Sequence, residues 1–240
     1  DVHFFPKDDS ATPGRMRPIT VSNTDNRLVA NMLRACITPA VQGMLEKSQR
    51  AFMADASIED NIRFFNEQFY SHLDAKTDFH LFLHDFEKAY DSISRDFLCS
   101  LLAKIGMPQW CVNIIKSLFL NAQAVPILKT KHGIQIKMEN GLKQGCPLSC
   151  LLFNLCIDPL LFHINHLCAR AYCDDVGVAA TDLTFLAPLH AAFSRYNGAS
   201  GSKSNLSKLY LVSTNPLPPA ALDGLPDKWA SNIKIVNVAK

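Results

Sequence analysis

The chain has 240 residues, of which 48% are hydrophobic and 19% are charged. This composition supplies enough apolar material for a folded core and excludes an intrinsically disordered protein. Lys and Arg total 24 and Asp and Glu total 22, which leaves a formal net charge of only +2. A nucleic-acid partner would therefore need a basic face built by clustering. The length predicts one large domain or two smaller ones.

The eight cysteines show neither paired nor regular spacing. They are typical of reduced thiols in an intracellular protein, and we expect a cytoplasmic and nuclear location. The most apolar stretch, 148–168, is interrupted by polar residues, so it predicts a buried helix and no membrane association. Neither an initiator Met nor a signal sequence opens the chain, which predicts a piece of a longer protein.

The spacing of apolar residues predicts the elements in chain order. An extended start, 1–21, precedes helices near 25–46 and 58–73, a strand at 79–85, and helices near 98–105 and 110–118. Two short strands, 124–129 and 133–138, are followed by a helix over 151–164, a strand-turn-strand over 170–180, a helix over 183–196 and a strand at 209–213. Helices interleaved with few strands predict an α+β fold, with helices on one face of a small sheet.

Three aspartates stand at the ends of β-like runs. Asp85 follows FHLFLH, and the pair Asp174 and Asp175 lies within AYCDDVGVAA. Neighbouring carboxylates repel, so a cluster of them on adjacent strands predicts a bound cation. Oxygen ligands without His or Cys favour Mg²⁺ or Mn²⁺, and two such ions serve polymerases and nucleases. An isolated Asp-Asp pair is more typical of a solvated hairpin turn.

The sequence segments around these aspartates favour a metal site over a solvated hairpin turn. HDFEKAYDS (84–92), NGLKQGCPLSCLLFNLCIDPLL (140–161), AYCDDVGV (171–178) and SGSKSNLSK (200–208) resemble motifs A to D of reverse transcriptases in order and approximate spacing. They look most like the non-LTR (LINE-type) retrotransposon enzymes. Upstream, 4–37 and 49–62 resemble two fingers elements of that family.

The resemblance implies the polymerase right-hand fold. A fingers-like part would cover 1–78 and a palm 79–240, with a small antiparallel sheet backed by helices and the motif B loop and helix at 139–168. The family continues into a primer grip and a thumb, and we expect the chain to end before both. The whole would be part of a larger retroelement polyprotein.

The implied activity is RNA-directed DNA polymerisation, in which dNTPs are added to a DNA or RNA primer on an RNA template with two Mg²⁺ or Mn²⁺ ions. By this resemblance, Asp85, Asp174 and Asp175 are the catalytic metal ligands. Lys208 matches the basic residue of motif D, placed to protonate or stabilise the pyrophosphate leaving group. An exposed strand-edge lysine is the alternative for Lys208.

The resemblance also implies a nucleotide-binding set: Arg17, Phe86, Tyr90, Gln144 and Gly145. Tyr90 matches the aromatic steric gate, whose ring leaves no room for a 2′-hydroxyl; a core aromatic is the alternative. Gly145 lacks a Cβ and permits close backbone approach to nucleotide and template, although an ordinary loop glycine fits too. Arg17, with Lys7 nearby, suits the triphosphate.

Two other hypotheses stay open. An RNA-dependent RNA polymerase shares the palm carboxylates, but that family has Gly before the two aspartates and a second Asp where Tyr90 stands. A decayed retroelement relic, at most an RNA-binding module, would explain why Ala51 and Ala56 replace the Gly and Arg of the fingers element. We also expect weak primer-template binding by this chain, because few basic residues lie near the template path: Arg15, Arg17, Lys129, Lys131 and Lys137.

Overall fold

The computed structural model describes residues 1–6, 16–119, 123–128 and 131–237. Lys7, Arg15 and Lys129, which the sequence associates with triphosphate or template, lie outside the described residues. The chain divides into two compact units. The first comprises Asp1–Gly43 and Tyr90–Cys156, and the second comprises Met44–Ala89 and Ile157–Lys240. The functional division at residue 78 into fingers and palm stays a prediction.

The helices are α1 (Thr24–Gln42), α2 (Ile58–Ala75), α3 (Ala89–Ser92), α4 (Arg95–Lys104), α5 (Gln109–Phe119), α6 (Ser149–His163), α7 (Leu186–Ser200) and α8 (Asp227–Ala230). The strands are β1 (Val2–Pro6), β2 (Met16–Thr20), β3 (His80–His84), β4 (Gln123–Ala124), β5 (Pro126–Leu128), β6 (Lys131–His132), β7 (Ile136–Lys137), β8 (Cys168–Tyr172), β9 (Asp175–Ala180), β10 (Tyr210–Ser213) and β11 (Lys234–Asn237). Single 3₁₀ turns cover Leu183–Phe185 and Leu206–Lys208.

The first unit holds two small sheets. One has the order β2-β1-β5-β6, in which β1 pairs antiparallel with β2 and parallel with β5; the other pairs β4 with β7. In α1 the buried residues Ala30, Leu33, Ile37 and Val41 recur every three or four positions. That spacing gives the helix one apolar side.

The second unit is built on a five-stranded sheet of order β11-β10-β3-β9-β8. Every pair is antiparallel except β10 with β11. Along β3 the side chains alternate, with His80, Phe82 and His84 buried. Phe82 is fully buried and stacks on Trp229 with ring centroids 5.1 Å apart. The α+β class and the small sheet backed by helices are confirmed, with one parallel pair added at the edge.

Helix α2 begins at a capping box and packs on this sheet. The Ser57 hydroxyl accepts a hydrogen bond from the Glu59 N–H at 3.1 Å, and the Asp60 carboxylate accepts one from the Ser57 N–H at 3.0 Å. The ring of Phe65 lies against Gly177 of β9, where an added Cβ would stand 2.8 Å from two ring carbons. The absence of a side chain at Gly177 therefore leaves room for the Phe65 ring, and the helix can pack closely on the sheet.

Some elements differ from the sequence prediction. Helix α1 ends at Gln42, four residues early, and the two strands predicted at 124–129 and 133–138 are instead the fragments β4 to β7, which pair in two different sheets. Helix α6 is buried along most of its length, as predicted for an apolar stretch. Within the described residues, no helix is both long and apolar enough to span a bilayer.

Candidate active site

The second unit brings the three predicted aspartates together at one end of its sheet. Asp85 directly follows β3, Asp175 opens β9, and Asp174 lies in the turn between β8 and β9. Because β3 and β9 are antiparallel with His84 opposite Val176, the residues just beyond that pair, Asp85 and Asp175, are neighbours. The hairpin register, with Tyr172 opposite Asp175, leaves Cys173 and Asp174 as a two-residue turn.

The charges of these carboxylates act on one another. The removal of surrounding water raises the pKa of Asp175, and the neighbouring carboxylates of Asp174 and Asp85 raise it further. Asp175 is nevertheless exposed at the surface, so solvent screens part of this effect. Repulsion within the cluster is the condition that a bound cation relieves.

Lys208 and Asn205 contact the Asp85 carboxylate directly. The Lys208 Nζ lies 3.0 Å from Asp85 Oδ2, and the Asn205 amide donates to the same oxygen at 2.8 Å. The hydrogen bond with Asp85 raises the pKa of Lys208. The backbone N–H of Asn205 also donates to the Asp85 carbonyl at 2.9 Å. Lys208 thus lies at the carboxylates, on a 3₁₀ turn instead of a strand edge.

A cavity of about 300 Å³ opens beside this cluster. Asp85, Asp175 and Lys208 line it together with the aromatic rings of Tyr172 and Tyr210. Charged groups at the edge of a largely apolar cavity are the usual composition of a small-molecule site.

Phe86 belongs to the core. It is 3% exposed, and its ring contacts Phe193 and Tyr196 with centroids 5.8 and 5.7 Å away. In that position the ring is not accessible to a nucleotide, so only the backbone of Phe86 could make the contact that the sequence predicts. That contact stays a prediction.

The other four predicted nucleotide-binding residues lie in the first unit. Arg17 is exposed on β2. Tyr90 stacks on Phe153 of α6, with centroids 4.7 Å apart and planes 16° from parallel. This packing agrees in part with the core-aromatic alternative, because Phe153 covers one face of the Tyr90 ring. The steric-gate role stays a prediction.

Gln144 and Gly145 have structural partners within the same unit. The Gln144 amide donates to Asp91 Oδ1 at 3.0 Å, so Asp91 holds the motif B loop. Gly145 has φ +103°, and an added Cβ would lie 2.7 Å from the Thr20 carbonyl oxygen. The close approach that this glycine permits is therefore to the end of β2, and an approach to nucleotide stays a prediction.

The comparison with known proteins decides the family. The family model described as reverse transcriptase (RNA-dependent DNA polymerase) matches residues 5–236. The chain belongs to the reverse transcriptase family. Its curated relatives include a 149 kDa protein of transposon TX1 from Xenopus laevis, 25% identical over 90% of this chain. A Pol polyprotein of the type-1 retrotransposable element R2 from Popillia japonica is 28% identical over 66% of it.

These relatives confirm the resemblance to non-LTR retrotransposon reverse transcriptases. The chain spans only 18% and 22% of their lengths. Among solved structures, telomerase from Candida tropicalis in complex with a TWJ fragment of telomeric RNA matches 78% of this chain and 33% of its own, with a TM-score of 0.54 and 13% identity. The apo enzyme of that species, truncated from its C-terminal domain, matches 81% and 41%, with a TM-score of 0.53 and 12% identity. At such identity the likeness shows the fold alone.

Reverse transcriptases use divalent metal ions, and the donor set at this site suits such ions. Its ligands would be carboxylate oxygens, which Mg²⁺ and Mn²⁺ prefer. Within the described part of the chain, no three acidic, His or Cys side chains already converge on one metal position. At Asp85, both Lys208 and Asn205 contact the Oδ2 atom.

The sequence did not single out Asn205, although it lies within the motif D segment. A short polar residue in a Ser-rich segment gives no signal of its own, and only the fold brings it to Asp85. Buried Arg95 of the first unit was also missed. Its guanidinium donates to the carbonyls of Met138, Asn140 and Gly141 and so supports the start of motif B.

Proposed function

We propose that this chain is the catalytic part of an RNA-directed DNA polymerase. The observation that carries the proposal is the meeting of Asp85, Asp174 and Asp175 with Lys208 at one end of the sheet. The substrates would be dNTPs, a DNA or RNA primer and an RNA template. We further propose that it acts as part of a larger retroelement polyprotein, in the cytoplasm and nucleus.

In this reaction the primer 3′-hydroxyl gives its proton to solvent and its oxygen bonds to the α-phosphorus of the dNTP. The bond from that phosphorus to the oxygen that bridges to the β-phosphate breaks, and pyrophosphate leaves. The three aspartates would hold two Mg²⁺ or Mn²⁺ ions, which when bound stabilise the attacking and leaving oxygens. Lys208 then supplies a proton or positive charge to the departing pyrophosphate. For this the Lys208 ammonium must leave the Asp85 carboxylate, and its exposed side chain allows that movement.

Three single substitutions test the proposal: Asp85→Asn, Asp174→Asn and Asp175→Asn. Each removes one anionic ligand but relieves repulsion, so the fold should be retained by circular dichroism. We expect dNTP incorporation on an RNA template with a DNA primer to fall at least about 100-fold. Asp223→Asn, which alters an exposed carboxylate of the same unit, is the matched control.

Binding of Mn²⁺, followed by electron paramagnetic resonance, provides a measurement independent of turnover. We expect the unchanged chain and the Asp223 variant to bind the ion and the three aspartate variants to bind it at least about tenfold more weakly. Equal Mn²⁺ affinity in all five proteins would refute the metal site and with it the polymerase.

A further inference from the structure

A buried glutamine outside the four catalytic motifs contacts the turn that carries the aspartate pair. Gln49 is 2% exposed and lies in a segment that runs parallel to the edge strand β8. The Ala171 N–H donates to the Ser48 carbonyl at 2.8 Å, and the Arg50 N–H donates to the Ala171 carbonyl at 2.9 Å. These two bonds fix the backbone of Gln49 beside the strand that leads into the turn.

The side-chain amide of Gln49 bonds to both backbone polar groups of Cys173. Its Oε1 accepts from the Cys173 N–H at 3.0 Å, and its Nε2 donates to the Cys173 carbonyl at 3.2 Å. Oε1 also accepts from the Ala51 N–H at 2.9 Å. Since two N–H groups point at one atom, that atom must be the oxygen, and the orientation of the amide is determined.

Cys173 needs such support because its backbone is strained. Its φ is +58°, in the left-handed region that residues with a Cβ adopt at a cost of about 1–2 kcal/mol. Strained residues of this kind persist only where surrounding contacts hold them. Gln49 supplies two of those contacts, one on each side of the Cα atom.

The contact reaches the catalytic aspartates through one peptide unit. The Cys173 carbonyl and the Asp174 N–H belong to the same planar group, so fixing the carbonyl also fixes the direction in which the chain enters Asp174. Asp175 follows at once and opens β9. The amide of Gln49 therefore controls the orientation of both carboxylates without touching either.

We propose that Gln49 is a positioning residue, which holds the Cys173 peptide so that Asp174 and Asp175 present their carboxylates to divalent metal. The inference rests on the proposed polymerase function and adds a residue from the fingers-like element to its site. Gln49 makes no bond to the aspartates themselves, so its effect is confined to geometry.

The decisive variant is Gln49→Met, which keeps the side-chain length and loses all three amide bonds. We expect Mn²⁺ affinity, read by electron paramagnetic resonance, to fall about tenfold, and kcat for dNTP incorporation to fall about 10- to 100-fold. KM for dNTP should stay within about twofold, since no substrate contact is removed. Hydrogen exchange of the Cys173 and Asp174 amides should speed up.

Two further variants separate positioning from stability. Thr214→Val removes the hydroxyl that accepts a 3.0 Å bond from the buried Phe79 N–H, at the opposite end of β3 from Asp85. It should lower Tm and leave Mn²⁺ affinity unchanged. Cys173→Gly, combined with Gln49→Met, removes the backbone strain because glycine adopts φ +58° freely. We expect the pair to recover Tm but to keep the weak Mn²⁺ binding.

Two results would overturn the inference. One is a Gln49→Met protein that is folded and binds Mn²⁺ as tightly as the wild type. The other is full recovery of Mn²⁺ affinity when Cys173→Gly is added to Gln49→Met, which would mean that Gln49 only offsets the backbone strain at Cys173. If the aspartate substitutions weaken Mn²⁺ binding and Gln49→Met does not, only this inference fails. If none of them weakens it, the proposed function fails.

Discussion

At the scale of single residues, the site is a balance of charges around Asp85. Its carboxylate is matched here by the Lys208 ammonium and the Asn205 amide, while Asp175 has no such cation in direct contact among the described residues. Lys208 also interacts with the charges of Asp174 and Asp175, which raise its pKa further. One exposed lysine therefore partly offsets the repulsion of three carboxylates.

The raised pKa of Asp175 predicts a stability that depends on pH. The folded state holds this proton more tightly than the unfolded chain, so ionisation of Asp175 destabilises the fold as pH rises from about 3.9 through the raised pKa. Asp175→Asn should therefore raise Tm at pH 7.5 in EDTA. Because the side chain is exposed, we expect a gain of only about 1–3 °C.

That gain should shrink as the pH falls below the raised pKa of Asp175, where the wild-type carboxyl is also protonated. Thermal denaturation at several pH values measures it, with Asp223→Asn as the control that shows no such trend. A lower Tm for Asp175→Asn at pH 7.5 would contradict the charge repulsion inferred here.

Tyr90 is the residue that distinguishes the polymerase hypotheses. If its ring excludes a 2′-hydroxyl, Tyr90→Ala should raise ribonucleotide incorporation relative to deoxynucleotide by about 10- to 100-fold. The stacking on Phe153 predicts that this variant also loses about 1–3 kcal/mol of stability. Competition between rNTP and dNTP at one template position measures the selectivity.

Tyr90→Phe is the matched control, because it keeps the ring and should keep the discrimination. Unchanged selectivity in Tyr90→Ala would leave Tyr90 as a core aromatic. A wild-type preference for rNTP would instead favour an RNA-dependent RNA polymerase.

At the scale of elements, the contact between α2 and β9 depends on the absence of one side chain. Gly177 lies opposite Leu83 of β3, one position from the pair that flanks the aspartates. The Phe65 ring occupies the space where a Cβ would project. A change at Gly177 therefore acts on helix packing next to the end of the sheet that carries the aspartates.

We expect Gly177→Ala to destabilise the protein by about 1–3 kcal/mol, because the new methyl group overlaps an aromatic ring in a packed interface. Phe65→Leu, a smaller side chain, should recover part of that loss in the double variant even though it is destabilising alone. Urea denaturation of the wild type, the two single variants and the double variant gives the coupling free energy between Phe65 and Gly177. Strict additivity of the two changes would show that the ring and the glycine do not contact.

The sequence predicted the elements that carry a strong periodicity or a motif. The strand ending at Asp85, the hairpin around Asp174 and helix α2 all lie within a few residues of their predicted positions. Short strands were less predictable, because β4 to β7 have two or three residues each and are divided between two sheets. Strand β11 was missed for the same reason, since its four residues become a strand only by pairing with β10.

The residues of the candidate site were likewise predictable only in part. Its carboxylates and Lys208 follow from motif spacing, while Asn205 and Gln49 act through contacts that join residues 120 and 124 positions apart. Such long-range hydrogen bonds leave no local pattern in a single sequence. Phe86 shows the reverse case, in which a motif position proved to have its ring in the core.

At the scale of the whole molecule, positive and negative charges nearly balance. The net charge is +2, and several cations already have internal partners. Lys208 is paired with Asp85, Arg95 and Lys143 donate to backbone carbonyls, Lys234 donates to the Ser207 carbonyl, and Arg170 lies 3.9 Å from the centre of the Phe64 ring. Arg17 is exposed on β2 and so is accessible to a phosphate.

Affinity for a primer-template comes largely from phosphate contacts, each of which releases counterions and adds about 0.9 to the slope of log K against log salt. Because few basic residues are expected near the template path, we expect this chain to contact about two to four phosphates, which gives a slope of about −2 to −4. Fluorescence anisotropy of a labelled RNA–DNA primer-template, titrated at salt concentrations between about 50 and 200 mM, measures this slope.

Arg17→Ala should weaken binding and make the slope shallower by about one. Arg63→Ala is the matched control, since Arg63 already pairs with Asp60 at 3.1 Å. A slope steeper than about −6 would mean that this chain offers the six or more phosphate contacts of a complete nucleic-acid-binding protein, and that its low net charge conceals a concentrated basic face.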